Sequence, residues 1–226
     1  NQINLPILTG AYSKDPPELP AEKRQLYNGV FLVQPGSQVS PPYRKNILLA
    51  FGEYLPGSYT FPALLKLKLT PMDTYFGIGH GPAVIPFQSI QLAPLICYEG
   101  LHPAFVAETT FKGAQILINV TNDSWFGSNF EPKQHLVMTL ARAVEFRLPM
   151  VRVTNTGITA VAQTDGSWTK PSPTNQEWTG AFRVKYKQNP KPTWYARGGH
   201  LIIYLVCLAF VTILFWGVWR ERIKKS

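Results

Sequence analysis

The chain has 226 residues, 45% of them hydrophobic, with a formal net charge of +9. That length holds one sizeable domain and a short appendage, so one domain is the default expectation for these residues. The 22 basic residues are scattered without an aromatic-interleaved stripe, and four of them close the chain, so the charge reads as a match for anionic lipid headgroups and not for nucleic acid.

The chain opens at Asn1 with no secretory signal and reads there as the middle of a sheet protein, so upstream sequence is expected. Residues 5–11 and 27–33 read as neighbouring strands around a polar, proline-bearing loop at 13–25. A turn-rich connection, 34–42, leads to the segment 43–53. Residues 54–88 are rich in Gly, Pro and aromatics without a steady period, as expected of a large functional loop. Residues 91–98 and 114–121 are short continuous apolar runs, typical of strands buried on both faces, with a helix expected at 103–111 between them. The clearest helix is 132–147: Leu136, Leu140 and Val144 fall four apart, Val137 and Ala141 widen the stripe, and Pro132 suits the first turn. Strands follow at 150–154, 158–163 and 178–186, with a turn at 164–167. Alternating helices and buried strands predict an α/β sandwich over residues 1–186.

Residues 187–200 read as a linker. Residues 201–219, LIIYLVCLAFVTILFWGVW, carry no formal charge and read as a transmembrane helix. The basic tail 220–226, with Arg220, Arg222, Lys224 and Lys225, places the C-terminus in the cytoplasm and residues 1–200 outside. Cys97 then lies in the folded region and Cys207 in the span, so no disulfide is expected between them.

Cys97 ends an apolar strand, at the carboxyl edge where α/β sheets bind ligands. A free cysteine there is either a small core residue or a nucleophile. A thiol attacks as thiolate and needs a cation or base beside it, which directs interest to Lys45 in YRKNILLAFGEYLP. His135, on the clearest helix, reads as packing or hydrogen bonding. No set of His, Cys and carboxylates has metal-ligand spacing, so neither a metal nor another cofactor is expected.

The strings YRKNILLAFGEYLP, PLICYEG, NVTNDSWFGSNFEPKQH and ARAVEFRLPMVRVTNTGITAV, with the apolar ending, resemble the C-terminal portion of the apolipoprotein N-acyltransferase family, within the nitrilase superfamily. The resemblance implies an αββα sandwich with a Glu-Lys-Cys triad on the outer side of the bacterial inner membrane. By motif, Cys97 matches the nucleophile, Lys45 the triad lysine, and Glu53 and Glu99 further carboxylates of the catalytic set. Asn28, Tyr98, Asn122, Trp125 and Phe126 match substrate-binding positions, with Asn122 open to reading as a turn residue and the two aromatics as core. The implied reaction carries an acyl chain from a phospholipid donor, through a Cys97 thioester, to the amine of a diacylglyceryl lipoprotein. The chain departs from the family where ILLAFGE stands for HLVPFGE. The triad glutamate is expected in an N-terminal segment of the same protein that precedes this chain, since Glu18 and Glu22 read as solvated loop residues. A membrane-tethered amidase and a non-catalytic fragment binding lipid or a partner chain remain the alternatives.

Overall fold

A computed structural model describes residues 4–20, 24–36, 38–58, 60–61, 63–64, 76–124 and 130–225, without the side chains of residues 200, 218 and 221–225. Two sheets stack face to face. In the first, β1 (Ile7–Lys14) and β2 (Leu26–Gln34) pair antiparallel as neighbours, and β3 (Gln38–Val39) and β4 (Tyr43–Arg44) both pair with β2. The second runs in the order β5 (Ile85–Phe87), β6 (Ile90–Ile96), β7 (Ile116–Thr121), β8 (Met150–Thr154), β9 (Ala160–Ala162). Its three central strands are parallel, and both edge strands are antiparallel. Parallel neighbours need a crossover, supplied by α1 (Pro103–Phe111) between β6 and β7 and by α2 (Glu131–Phe146) between β7 and β8.

The apolar runs on β6 and β7 are buried on both faces because each face meets a different core. Toward the helices, Leu95, Val106, Leu117, Leu140, Phe146 and Met150 interlock. Toward the first sheet, Ile96 and Ile85 meet Val30, Leu32 and Tyr43. Burying each such side chain stabilises the fold by about 1.5–3 kcal/mol. Among the described residues the layers are therefore sheet, sheet and helices. No described helix covers the outer face of the first sheet, so three layers of the expected αββα sandwich are present.

Four expectations change on contact with the structure. The buried face of α2 carries Leu136, Leu140, Ala143 and Phe146 beside His135, Thr139 and Arg142, while Val137 is 59% and Val144 42% exposed. The expected stripe is rotated because the helix covers a polar network as well as a core. Residues 178–186 form no strand; no ladder reaches them, and Gln163 ties them by donating to the Arg183 carbonyl (3.0 Å) while Trp178 and Phe182 stack. The loop expected over 54–88 ends early, in the short hairpin of β5 and β6. The stretch expected to be a linker packs back on the domain: Ala196 is buried in the helix-side core, Tyr195 meets Phe146 edge-on, and Thr193 donates to the Glu145 carbonyl at 2.8 Å.

The chain ends in α3 (Ile202–Lys225). Among the described residues no helix is long and apolar enough to cross a membrane; the unbroken run of described side chains on α3 stops at Gly217, below the roughly 17–25 residues a span takes.

Candidate active site

The parallel strands deliver their carboxyl ends to one place. Cys97 follows β6, Thr121 and Asn122 end and follow β7, and Thr154 and Asn155 end and follow β8. Opposite them, the first sheet contributes Asn28 from β2 and Lys45 just after β4. These residues, with Glu53, Tyr12 and Phe76, line a cavity of about 460 Å³ whose apolar walls include Leu49, Ile96, Val120 and Val153.

Lys45 is 1% exposed, and its ammonium is held by one carboxylate: Nζ donates to Glu53 Oε1 at 2.9 Å and Oε2 at 2.7 Å. Glu53 also accepts from Asn28 Nδ2 and from the Leu49 N–H at 2.7 Å. A charge buried this deeply needs such a partner. Asn28 thus reaches the cavity through the carboxylate that holds the lysine.

Cys97 opens a 3-10 turn, Cys97–Leu101, with φ of 50°, a left-handed conformation costly to a residue with a side chain. The turn bends the chain sharply and presents the thiol to the cavity. Burial pushes the Cys97 thiol up, with the Glu53 and Asp123 charges adding to the rise; Lys45 and the Tyr98 N–H act against it. The resting group is therefore a thiol. Alkylation of Cys97 by a small haloacetamide is expected to keep accelerating above pH 9, the ordinary cysteine value. A plateau reached below pH 8 in a rate-against-pH series would contradict that.

Glu99 is 0% exposed and does not line the cavity. Its Oε1 accepts from the Asn46 N–H (2.6 Å) and Ile47 N–H (3.3 Å), and its Oε2 from the Ile96 N–H (2.7 Å) and Tyr43 hydroxyl (2.9 Å). Burial pushes the carboxyl up, against the Ile96 and Asn46 N–H groups, the Tyr43 hydroxyl and the Lys45 charge, which favour its ionised form. Glu99 lashes the cysteine turn to the segment that carries Lys45. Tyr98 is half-buried against His102, ring centroids 4.6 Å apart, and lies outside the cavity lining. Asn122 lines the cavity and is held as a turn residue by Ser124 (Oγ to Oδ1, 2.6 Å) and Asn155 (Nδ2 to Oδ1, 2.7 Å). Trp125 and Phe126 lie outside the described residues.

Beneath the cavity runs a buried polar network that motif reading passed over. Arg152 of β8 donates to Asp123 Oδ2 at 2.8 Å and to Asn119 Oδ1 at 2.7 Å. His135 Nδ1 stands 3.2 Å from Asp123 Oδ1. Burial would raise Asp123, but the His135 hydrogen bond and the Arg152 charge hold it below the usual aspartate range. Asp123, Glu131 and His135 also bring one ligand atom each within 4.8 Å, a grouping the fold makes and the spacing did not suggest. Arg152 already supplies the positive charge there. One signal for this network was present in the sequence: a charged or amide residue in the middle of the apolar runs ILINVT and MVRVT.

A carbon-nitrogen hydrolase family profile matches residues 1–183. The chain is 46% identical, over 99% of its length, to the apolipoprotein N-acyltransferase of Bdellovibrio bacteriovorus, of which it covers 42%. It is 35% identical, over 94% of its length, to that of Geobacter metallireducens, of which it covers 39%. The chain thus spans less than half the length of these curated relatives. Among solved structures it superposes on an amidase from Nesterenkonia sp. with a TM-score of 0.54, covering 76% of this chain and 58% of that one at 19% identity. It also superposes on a glutamine-dependent NAD+ synthetase from Acinetobacter baumannii, with a TM-score of 0.56, 75% and 29% covered, and 16% identity. At such identities the likeness concerns the fold.

Proposed function

The chain belongs to the carbon-nitrogen hydrolase family, and we propose that it is the cysteine-bearing part of an enzyme that moves an acyl chain from a membrane phospholipid to the N-terminal amine of a diacylglyceryl lipoprotein. The observation that carries this reading is Cys97 and the Lys45–Glu53 pair on one largely apolar cavity, in a chain 46% identical over 99% of its length to an apolipoprotein N-acyltransferase.

In the first half, Cys97 Sγ bonds to the ester carbonyl carbon, and the carbon–oxygen bond to the glycerol breaks. The thiol proton passes to a general base and then to the departing alkoxide, which leaves as lysophospholipid. In the second half the lipoprotein amine attacks the thioester, the sulfur–carbon bond breaks, and the amine proton returns to sulfur. Lys45, held by Glu53, joins the Tyr98 N–H in meeting the negative charge on the tetrahedral oxygen. Glu53 and Glu99 support that arrangement: one holds the lysine, the other holds the turn. The base is assigned to a carboxylate in the additional sequence that the longer relatives carry.

Both substrates reside in a bilayer, and α3 suits that setting. Its 24 residues extend about 36 Å at the helical rise, and Leu205, Phe210, Ile213 and Phe215 are all exposed. The helix is assigned as a span of the bacterial inner membrane, with Arg220 at its cytoplasmic end and the catalytic domain on the periplasmic side.

The test is to incubate the full-length protein with phospholipid vesicles and follow intact mass. An acyl adduct on Cys97 that is discharged by a lipopeptide amine is the expected result. Release of ammonia from small amides with no lipid adduct would instead assign the site to amide hydrolysis.

A further inference from the structure

Two fully buried polar side chains below the cavity have no part in the acyl transfer just proposed. Asn119, in the middle of β7, and Arg152, in the middle of β8, are each 0% exposed. A buried guanidinium is costly, and stability alone could be had with an apolar residue. Burial indeed pulls Arg152 below the usual arginine range, although Asp123 opposes the shift.

The hydrogen bonds show what the pair accomplishes. Arg152 Nη1 donates to Asn119 Oδ1 at 2.7 Å, which leaves one orientation for the amide. Asn119 Nδ2 then donates to the carbonyl oxygens of Leu95 (3.2 Å) and Cys97 (3.1 Å). The Cys97 carbonyl and the Tyr98 N–H are opposite ends of one planar trans peptide, so pinning the oxygen sets the direction of the N–H. In a trans peptide that N–H points opposite to the carbonyl that Asn119 holds, and its effect on the Cys97 thiol, which lines the cavity, is to favour the thiolate. The turn also lies close over the amide: a Cβ on Gly100 would lie 3.1 Å from Asn119 Nδ2 and 3.3 Å from Thr139 Cγ2, so glycine leaves the amide its place. The left-handed Cys97 is thereby clamped from below by Asn119 and from the side by Glu99.

We infer that Asn119, oriented by Arg152, is a positioning residue that aims the Tyr98 N–H at the thiol and at the oxygen of the tetrahedral intermediate. It acts through the peptide, without touching substrate, and the inference rests on the acyl-transfer reading for the reaction it serves.

The experiment uses the full-length protein and three readouts: Cys97 acyl-adduct formation from phospholipid vesicles, the pH profile of Cys97 alkylation by chloroacetamide, and the melting temperature. Asn119→Ala is expected to slow adduct formation by about 10–100-fold, somewhat below the loss of an oxyanion donor itself, with the apparent KM for phospholipid unchanged within about twofold. Its alkylation profile moves to higher pH, because the thiolate loses an aimed donor. Arg152→Met can fail to fold by stranding Asp123, so it is paired with Asp123→Asn in a double variant that removes both charges and is expected to fold and to slow adduct formation likewise. Folded Asn119→Ala protein with an adduct rate within threefold of the parent and an unmoved alkylation profile would overturn the inference. If the parent forms no acyl adduct while Asn119→Ala still moves the alkylation profile, the positioning role stands and the acyl-transfer reading falls.

Discussion

Lys45→Met is expected to slow formation of the Cys97 acyl adduct by about 10²–10³-fold, the loss that follows removal of one oxyanion donor, and to move Cys97 alkylation to still higher pH. Lys45 opposes the effect of burial on the thiol, whereas Glu53 reinforces it. Methionine fills much of the same space but leaves the Glu53 carboxylate as an unopposed negative charge on the cavity. Glu53 keeps its bonds from Asn28 and the Leu49 N–H and borders a cavity that water can enter, so the fold is expected to survive. The thiolate then forms less often, and the tetrahedral oxygen finds one donor fewer. Time-resolved intact mass measures the first consequence, and an alkylation series across pH the second. A methionine variant whose adduct forms within about tenfold of the parent rate would show that Lys45 serves the fold and not the chemistry.

Much of this arrangement was legible before any coordinates. The runs 91–98 and 114–121 were readable as doubly buried strands because they are apolar without alternation, and the cysteine at the end of one marks the carboxyl edge of a parallel sheet. The meeting of Asn28, Lys45, Glu53 and Cys97 was legible only through motif resemblance, since nothing in spacing tells that β2 and β4 lie across from β6. The buried face of α2 was misread for a physical reason. Apolar periodicity favours Val137 and Val144, yet the helix turns His135 and Thr139 inward because Asp123 and Arg152 lie beneath it. On the helix the members of such a network look like surface residues until their partners are known; the cue lies in the strands, where Asn119 and Arg152 interrupt apolar runs. The strand expected over 178–186 is absent for a similar reason: a strand needs a neighbour with free backbone groups, and sequence does not say whether one is available. Glu99 was read as one of the catalytic carboxylates from its place beside the nucleophile, but its direction, away from the cavity, is set by the 3-10 turn.

Glu99→Leu should therefore act on the fold first. Leucine is close in volume and suits a fully buried site, so little packing is lost. What is lost is the acceptor for four donors: the Tyr43 hydroxyl and the N–H groups of Asn46, Ile47 and Ile96. Each buried donor left without a partner costs roughly 1–3 kcal/mol, so the substitution should cost at least about 4 kcal/mol of a total that is seldom above about 15 kcal/mol. Asn46 Nδ2, which donates to the Tyr43 hydroxyl oxygen at 3.0 Å, offers the hydroxyl proton no acceptor, and the three backbone groups cannot move without unmaking the turn or β6. Glu99→Gln should cost about half as much, since one amide oxygen still accepts from Asn46 and Ile47 while the amide nitrogen faces the Ile96 N–H. Denaturant unfolding of the two variants beside the parent measures both costs. On the proposed mechanism Glu99 takes no proton, so folded Glu99→Gln protein should keep the parent's pH profile of acyl-adduct formation even where its rate is lower. A profile that loses its ascending limb in that variant would make Glu99 the general base, and the carboxylate assigned to the additional sequence of the longer relatives would be unnecessary.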